Sequence, residues 1–321
     1  MLRRNKRIFA CLISCFLAAV SVGGASALSV DGEGATSGEE SGLREASGVL
    51  AESDVAYVRN GNTIEIGSYP QTIKAADVTV SADVNDNGYY VGSDGAEYAC
   101  LTTKRYIENG VTFSNGEEVL VGQQYYFKIE PLKWRVLEEK DGKAFLMSES
   151  ILDAQIFDGS DNIYELSSIR SWLNKTFYSA AFTEEQKLLI DTTLVINDER
   201  STNPDENAAY WNSGLNVNEC INTKDKIFLL SQREVTCTRY GFESDPMKED
   251  EARRLGYSDY SLANCLLTLN GNSGFWWLRS PSATDLTKAQ TIDDLSNAQN
   301  NAYFVGYFYI GVVPAMWITL S

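Results

Sequence analysis

The sequence predicts an α+β fold of mostly antiparallel strands with two or three short helices. Short strand-like runs rich in Tyr, Phe, Trp, Val and Ile recur along residues 57–321. Turn residues separate them at short intervals, and helical spacing of apolar residues is confined to a few brief segments. No internal repeat is present.

In chain order, Thr63 to Ile66 reads as a strand closed by a turn at Ser68-Tyr69-Pro70. Val78 to Ala82 and Tyr89 to Val91 read as strands around an Asp/Asn/Gly loop. Gln124 to Ile129, Trp134 to Glu138 and Ala144 to Ser148 follow, the last two joined across Lys140-Asp141-Gly142-Lys143, a hairpin signal. Leu166, Ile169, Trp172, Leu173 and Phe177 share one helical face behind a Ser167 or Ser168 cap. Thr183-Glu184-Glu185-Gln186 is a capping box opening a helix through Ile190. Ser231-Gln232-Arg233-Glu234 is a second box, after the buried-strand run Ile227 to Leu230. Asn197 to Asp225 is polar and Asn-rich, a long loop. Strands return at Phe275 to Arg279, Tyr303 to Ile310 and Val312 to Leu320.

Residues 1–27 predict export. Arg3, Arg4, Lys6 and Arg7 precede the apolar run Ile8 to Val22, and Ala25-Ser26-Ala27 offers a small-x-small cleavage site. A membrane anchor is the alternative, but the run falls short of the ~20 apolar residues a spanning helix needs. Lipid attachment at Cys15 is a second alternative; it would leave Phe16 to Val22 at the head of the mature chain. Residues 28–54, mostly Gly, Ser, Ala and Glu, cannot bury enough apolar surface to offset ordering and read as a disordered acidic leader. Residues 55–321 read as a single globular domain. The protein is therefore expected to be secreted or at the cell surface.

Composition narrows the chemistry. The chain has 27 basic and 44 acidic residues, a net charge of −17; losing residues 1–27 removes four basic residues and no acidic one, leaving 23 against 44, or −21. That sign repels phosphate backbones and anionic lipid, so neither nucleic acid nor a membrane surface is an expected partner. There is no histidine, which removes Ser-His and Cys-His nucleophile pairs and most catalytic zinc sites. Cys100, Cys220, Cys237 and Cys265 would permit two disulfides in three pairings, or four buried thiols.

Several stretches together carry a resemblance. They are Glu65-Ile66-Gly67-Ser68-Tyr69-Pro70-Gln71, Gly88-Tyr89-Tyr90-Val91-Gly92-Ser93-Asp94-Gly95 and Pro131-Leu132-Lys133-Trp134-Arg135-Val136-Leu137. Ser168-Ile169-Arg170-Ser171-Trp172-Leu173-Asn174 and Lys226-Ile227-Phe228-Leu229-Leu230-Ser231 follow, then Trp276-Trp277-Leu278-Arg279-Ser280-Pro281 and Gly311-Val312-Val313-Pro314-Ala315. This ordered set resembles an uncharacterised bacterial family, domain of unknown function 6273, over nearly the whole chain after the leader. The family is distantly similar to the C-type-lectin-like fold shared with formylglycine-generating enzymes, so the resemblance implies a C-type-lectin-like core. Val313 stands where many relatives carry Arg. The family brings no assigned activity and no catalytic residues, and fold analogy says little about function.

Two candidate sites remain. Asp83, Asn85 and Asn87, with Gly88 and Asp94, match the spacing of a calcium loop. The strand-like flanks favour a plain hairpin turn, so no cofactor is expected, with calcium as the alternative. In Tyr303 to Ile310, alternation puts Tyr303, Val305, Tyr307 and Tyr309 on one face and Phe304, Phe308 and Ile310 on the other. The Phe/Ile face reads as core; the tyrosine face reads either as a recognition surface or as a second core layer. Trp276 and Trp277 should face opposite ways, one into the core and one nearer the surface. Arg279 can pair with a buried carboxylate instead of a ligand. Asn203-Pro204-Asp205, Trp211-Asn212-Ser213 and Gly271-Asn272-Ser273-Gly274 resemble lectin and nucleophile motifs without the required spacing. Asp293-Asp294 would point to opposite faces of a strand and could not flank one bond. The sequence therefore predicts a non-catalytic recognition module for an extracellular glycan, peptide or protein. The alternatives are an enzyme of the formylglycine-generating superfamily or a carboxylate-dependent hydrolase, and a structural envelope protein.

Overall fold

A computed structural model describes residues 56–104, 110–197, 220–268, 273–282, 285–298 and 302–320. The export segment with Cys15, the acidic leader, most of the Asn-rich stretch with its two lectin-like fragments, and Gly271-Asn272 lie outside these residues.

The larger sheet is organised by one long strand, β6 (Gln124–Lys140). Along one edge it pairs first with β5 (Glu97–Thr102) and then with β7 (Lys143–Ser148); along the other lies β2 (Thr63–Ile73), itself paired with β1 (Val58–Asn60). β3 (Val80–Val84) and β4 (Tyr90–Gly92) extend the sheet beyond β5. On the far side β16 (Pro314–Thr319) pairs with β7, and β11 (Phe228–Leu229) with β16. A five-stranded sheet runs in the order β14 (Ala302–Phe304), β13 (Lys288–Ile292), β12 (Trp276–Pro281), β15 (Gly311–Val312), β8 (Asp153–Ala154). Only its β12–β15 pair is parallel. β9 (Thr193–Val195) and β10 (Thr223–Asp225) form a separate ribbon, so the expected long loop ends in paired strand.

The turn between β6 and β7 is built as its residues dictate. Asp141 and Gly142 take φ of 52° and 72°, the two positive values of a type I′ hairpin turn whose twist matches the flanking strands. The turn expected at Ser68-Tyr69-Pro70 is absent, because β2 runs straight through it. Its register against β6 shifts between Glu65 and Ser68 and again between Pro70 and Ile73. Beyond Glu65 this strand has β6 as its one strand partner among the described residues, so Pro70, which lacks an N–H, interrupts no ladder on the other side. Gly67 occupies the bulge with φ of 78°, and a Cβ there would meet the Ala181 carbonyl oxygen at 2.7 Å.

Ser167 caps a helical run, accepting from the Arg170 N–H at 3.3 Å. The run comprises α1 (Ser168–Trp172), a π turn (Leu173–Phe177) and α2 (Tyr178–Ala181). Ile169, Leu173 and Phe177 are buried as expected, whereas Leu166, in a separate 3₁₀ turn before the cap, is 71 % exposed. Thr183 and Gln186 exchange both bonds of the capping box at α3 (Glu184–Leu189). α4 (Asp259–Ala263) is fixed by Asp259, whose carboxylate accepts from the Ile73 and Ser114 N–H groups at 2.9 and 2.8 Å. One core cluster joins Ile64, Trp134, Leu146 and Met316 of the larger sheet to Trp276, Leu278, Ile292 and Val312 of the smaller. No disulfide joins Cys100, Cys220, Cys237 and Cys265.

Candidate functional site

The segment expected to be one strand from Tyr303 to Ile310 is strand only through Phe304. Val305 then buries completely, donating its N–H to the Thr287 carbonyl at 2.9 Å and accepting from the N–H groups of Phe157 and Asp158. The chain turns at Gly306, and the Tyr307 N–H closes onto the Phe304 carbonyl at 2.9 Å. Period-two alternation fails here because the backbone is no longer extended. Phe304 and Phe308, expected in the core, are instead 39 % and 40 % exposed, while Ile310 is buried.

The turn gathers five aromatic rings. Tyr307 stacks on Tyr309 at 4.8 Å, and Phe304 meets Tyr307, and Phe308 meets Tyr309, edge-on at 5.7 Å. Tyr303, half-buried, lies 6.2 Å from Tyr307 and packs inward against Phe275 at 5.4 Å. Burial pushes the Tyr303 phenol pKa up, helped by the carboxylates of Asp293 and Asp294. Tyr307 is 37 % exposed. The three tyrosines named from sequence thus meet in one surface patch, with two phenylalanines beside them.

The tryptophans do not border it. Trp276 and Trp277 are both fully buried, correcting the expectation that one lies near the surface. β12 is an interior strand with core on both faces. The indole N–H groups are satisfied internally, by the Arg253 carbonyl at 3.3 Å and the Gln155 carbonyl at 2.9 Å.

The calcium-spaced residues do not converge. Asn85 and Asn87 lie in the β3–β4 turn, where the Asn85 side-chain oxygen accepts from the Asn87 and Tyr89 N–H groups, both at 3.0 Å. Asp83 is exposed at the end of β3. Asp94 sits in the turn at the opposite end of β4, accepting from Tyr98 OH at 2.8 Å and lying 3.9 Å from Lys128. Gly88 has φ of 81° and open space at its Cβ position, as a hairpin turn requires. Among the described residues no group of three or more His, Cys, Asp or Glu is arranged to hold a metal ion. Asp293 is a turn cap, accepting from the N–H groups of Leu295 and Asn297.

A second aromatic surface was not read from the sequence. On β16 and β7, Trp317 and Phe145 are cross-strand partners whose rings stack at 5.0 Å with 8° between planes. Phe228 and Tyr240 extend the row from Phe145 at 5.9 and 5.4 Å. Trp317 is half-buried and borders two hollows of about 390 Å³ each. One reaches Ser231, Arg233, Glu234 and Arg279; the other reaches Lys140, Asp141, Lys143 and Asp191; Thr193 borders both. Arg279 pairs with Glu234 through both terminal guanidinium nitrogens, Nη1 to Oε2 and Nη2 to Oε1 at 3.0 Å, so its partner is the carboxylate of the second capping box. The signal in the sequence is the alternation in Pro314–Thr319, which sets Trp317 on the face opposite Met316 and Ile318; its pairing with Phe145 comes from the register of β16 on β7.

These features define a class: a sheet-rich α+β protein whose exposed patch and groove are aromatic. The chain belongs to the family described as Domain of unknown function (DUF6273), whose model matches residues 141–320. That span begins in the β6–β7 turn and contains the tyrosine patch and nearly all of the groove; the motifs at 65–71, 88–95 and 131–137 precede it. No curated protein and no solved structure matches the chain. Among the described residues no helix is long and apolar enough to cross a membrane.

Proposed function

We propose that the protein is a secreted or cell-surface, non-catalytic recognition module that binds an extracellular glycan, peptide or protein through the patch of Tyr303, Tyr307 and Tyr309. The observation that carries this reading is three large aromatic rings, Phe304, Tyr307 and Phe308, exposed by 37–40 % within one ring-to-ring cluster. Apolar side chains exposed together, in contrast to ones scattered singly, mark interaction surfaces. Tyrosine adds a hydroxyl to a rigid ring at low entropic cost on ordering. A C-type-lectin-like core is supported by the closure of the family span, in which β7 and β16 pair antiparallel. The signal-like residues 1–27 support export, and a charge of −17 disfavours polyanionic partners.

Binding of the full chain to glycan and peptide arrays, compared between wild type and Tyr307→Ala, tests the reading. Tyr307→Ala should abolish binding while lowering stability by about 1 kcal/mol or less, as exposed positions do. A loss of about 3 kcal/mol or more in urea unfolding would make the patch structural, as for buried aromatic truncations, and would overturn the proposal.

A further inference from the structure

We infer that the groove over Trp317 is a second ligand site, distinct from the tyrosine patch, and that it takes a neutral pyranose unit of a saccharide chain. A pyranose has an apolar C–H face and a rim of hydroxyls that both donate and accept. The groove offers the matching pair of features. Trp317, backed by the stacked ring of Phe145, is its half-buried aromatic floor. On either side stand ion pairs: Arg279 with Glu234 in one hollow, and Lys143 with Asp191 at 2.7 Å in the other. Each hollow, at about 390 Å³, lies within the size range of small-ligand sites, which combine aromatic walls with a few fixed polar groups.

Charge selects a neutral occupant. The two hollows are lined by four basic residues (Lys140, Lys143, Arg233, Arg279) and three acidic ones (Asp141, Asp191, Glu234). This near balance sits on a chain of net −17. A polyanion would be repelled by the rest of the molecule, and a cation meets a slight basic excess. A peptide cannot add as a further strand along β16, because the outer edge of β16 is occupied. Phe228 and Leu229 pair with Ala315 and Pro314, and Ile190 and Asp191 cover Ile318 and Trp317.

Isothermal titration of the full chain with neutral hexasaccharides (of glucose, N-acetylglucosamine, mannose and xylose) tests the site, with an oligogalacturonate and a mixed peptide pool as the other arms. At least one neutral hexasaccharide should bind with a Kd of about 1 mM or tighter. Trp317→Ala should weaken that binding at least about tenfold. Thr193→Trp, which fills both hollows from the opposite wall without removing the stacked pair, should do the same in a chain whose circular dichroism is unchanged. Tyr307→Ala should leave it within about twofold. The inference is overturned if no neutral hexasaccharide binds, if only the anionic oligomer or a peptide binds, or if Thr193→Trp binds as wild type does. Loss on Tyr307→Ala instead would assign the saccharide to the tyrosine patch, overturning the groove while upholding the patch.

Discussion

Arg253 is fully buried. Its guanidinium donates to five backbone carbonyls: Ser296 from Nε, Val235 and Glu243 from Nη1, and Asp245 and Lys248 from Nη2. One planar group thus fastens the loop between β11 and α4 to the turn after β13. Lysine has a single nitrogen and cannot span that fork. Arg253→Lys should therefore lower stability by about 3 kcal/mol or more, since several buried acceptors lose their partners. An unfolding midpoint in urea close to wild type would refute this role. Residue type alone made some of the site legible: the tyrosines at 303, 307 and 309 suggested a surface, and Arg279 suggested a carboxylate partner. It did not reveal that Trp276 and Trp277 are both buried, because two faces of one strand look unequal only until both are covered.

Elements whose signals are local formed as read. The Asp141-Gly142 turn and the Thr183–Gln186 capping box depend on a few adjacent residues and their own backbone geometry. Thr183→Ala should cost about 1 kcal/mol, with Thr183→Ser recovering most of it, because the cap satisfies an otherwise unpaired helix N–H. Thermal unfolding of the two variants measures this; equal losses would show that methyl packing matters more than the hydroxyl. The second box, Ser231 to Glu234, opens only the 3₁₀ turn Glu234–Thr236. Elements whose limits depend on distant partners depart from their local signals. β2 continues through Pro70 because β6 lies alongside. The strand expected to reach Ile310 breaks after Phe304 because Thr287 and Phe157 capture Val305.

Over the whole molecule, acid stability follows from the carboxylates. Hydrogen bonds from Tyr98 to Asp94, from Arg59 to Glu139 and from Thr287 to Asp285 hold these acids below their usual range, and Lys248 brings Glu243 down to about 2. A depressed folded-state pKa gives stability that is present above the unfolded value and lost as pH falls through the folded one. Buried Asp153 acts oppositely: desolvation raises its pKa, so its contribution declines as pH rises through the folded value. Asp158 and Glu185 are held low as well, so six acids against one predict that the urea midpoint rises from about pH 2 to about pH 5; a flat or falling midpoint would contradict the assignment. The sequence by itself determined the α+β class, the hairpin and helix caps, the absence of histidine chemistry and the acidic charge, since each depends on composition or on neighbours within a few residues. The tertiary structure alone decided which aromatics are exposed, that the calcium-spaced acids stand at opposite ends of β4, and that Trp317 floors a groove. Those outcomes depend on strand register and on segments as distant as Phe145 and Trp317, whose pairing no local pattern encodes.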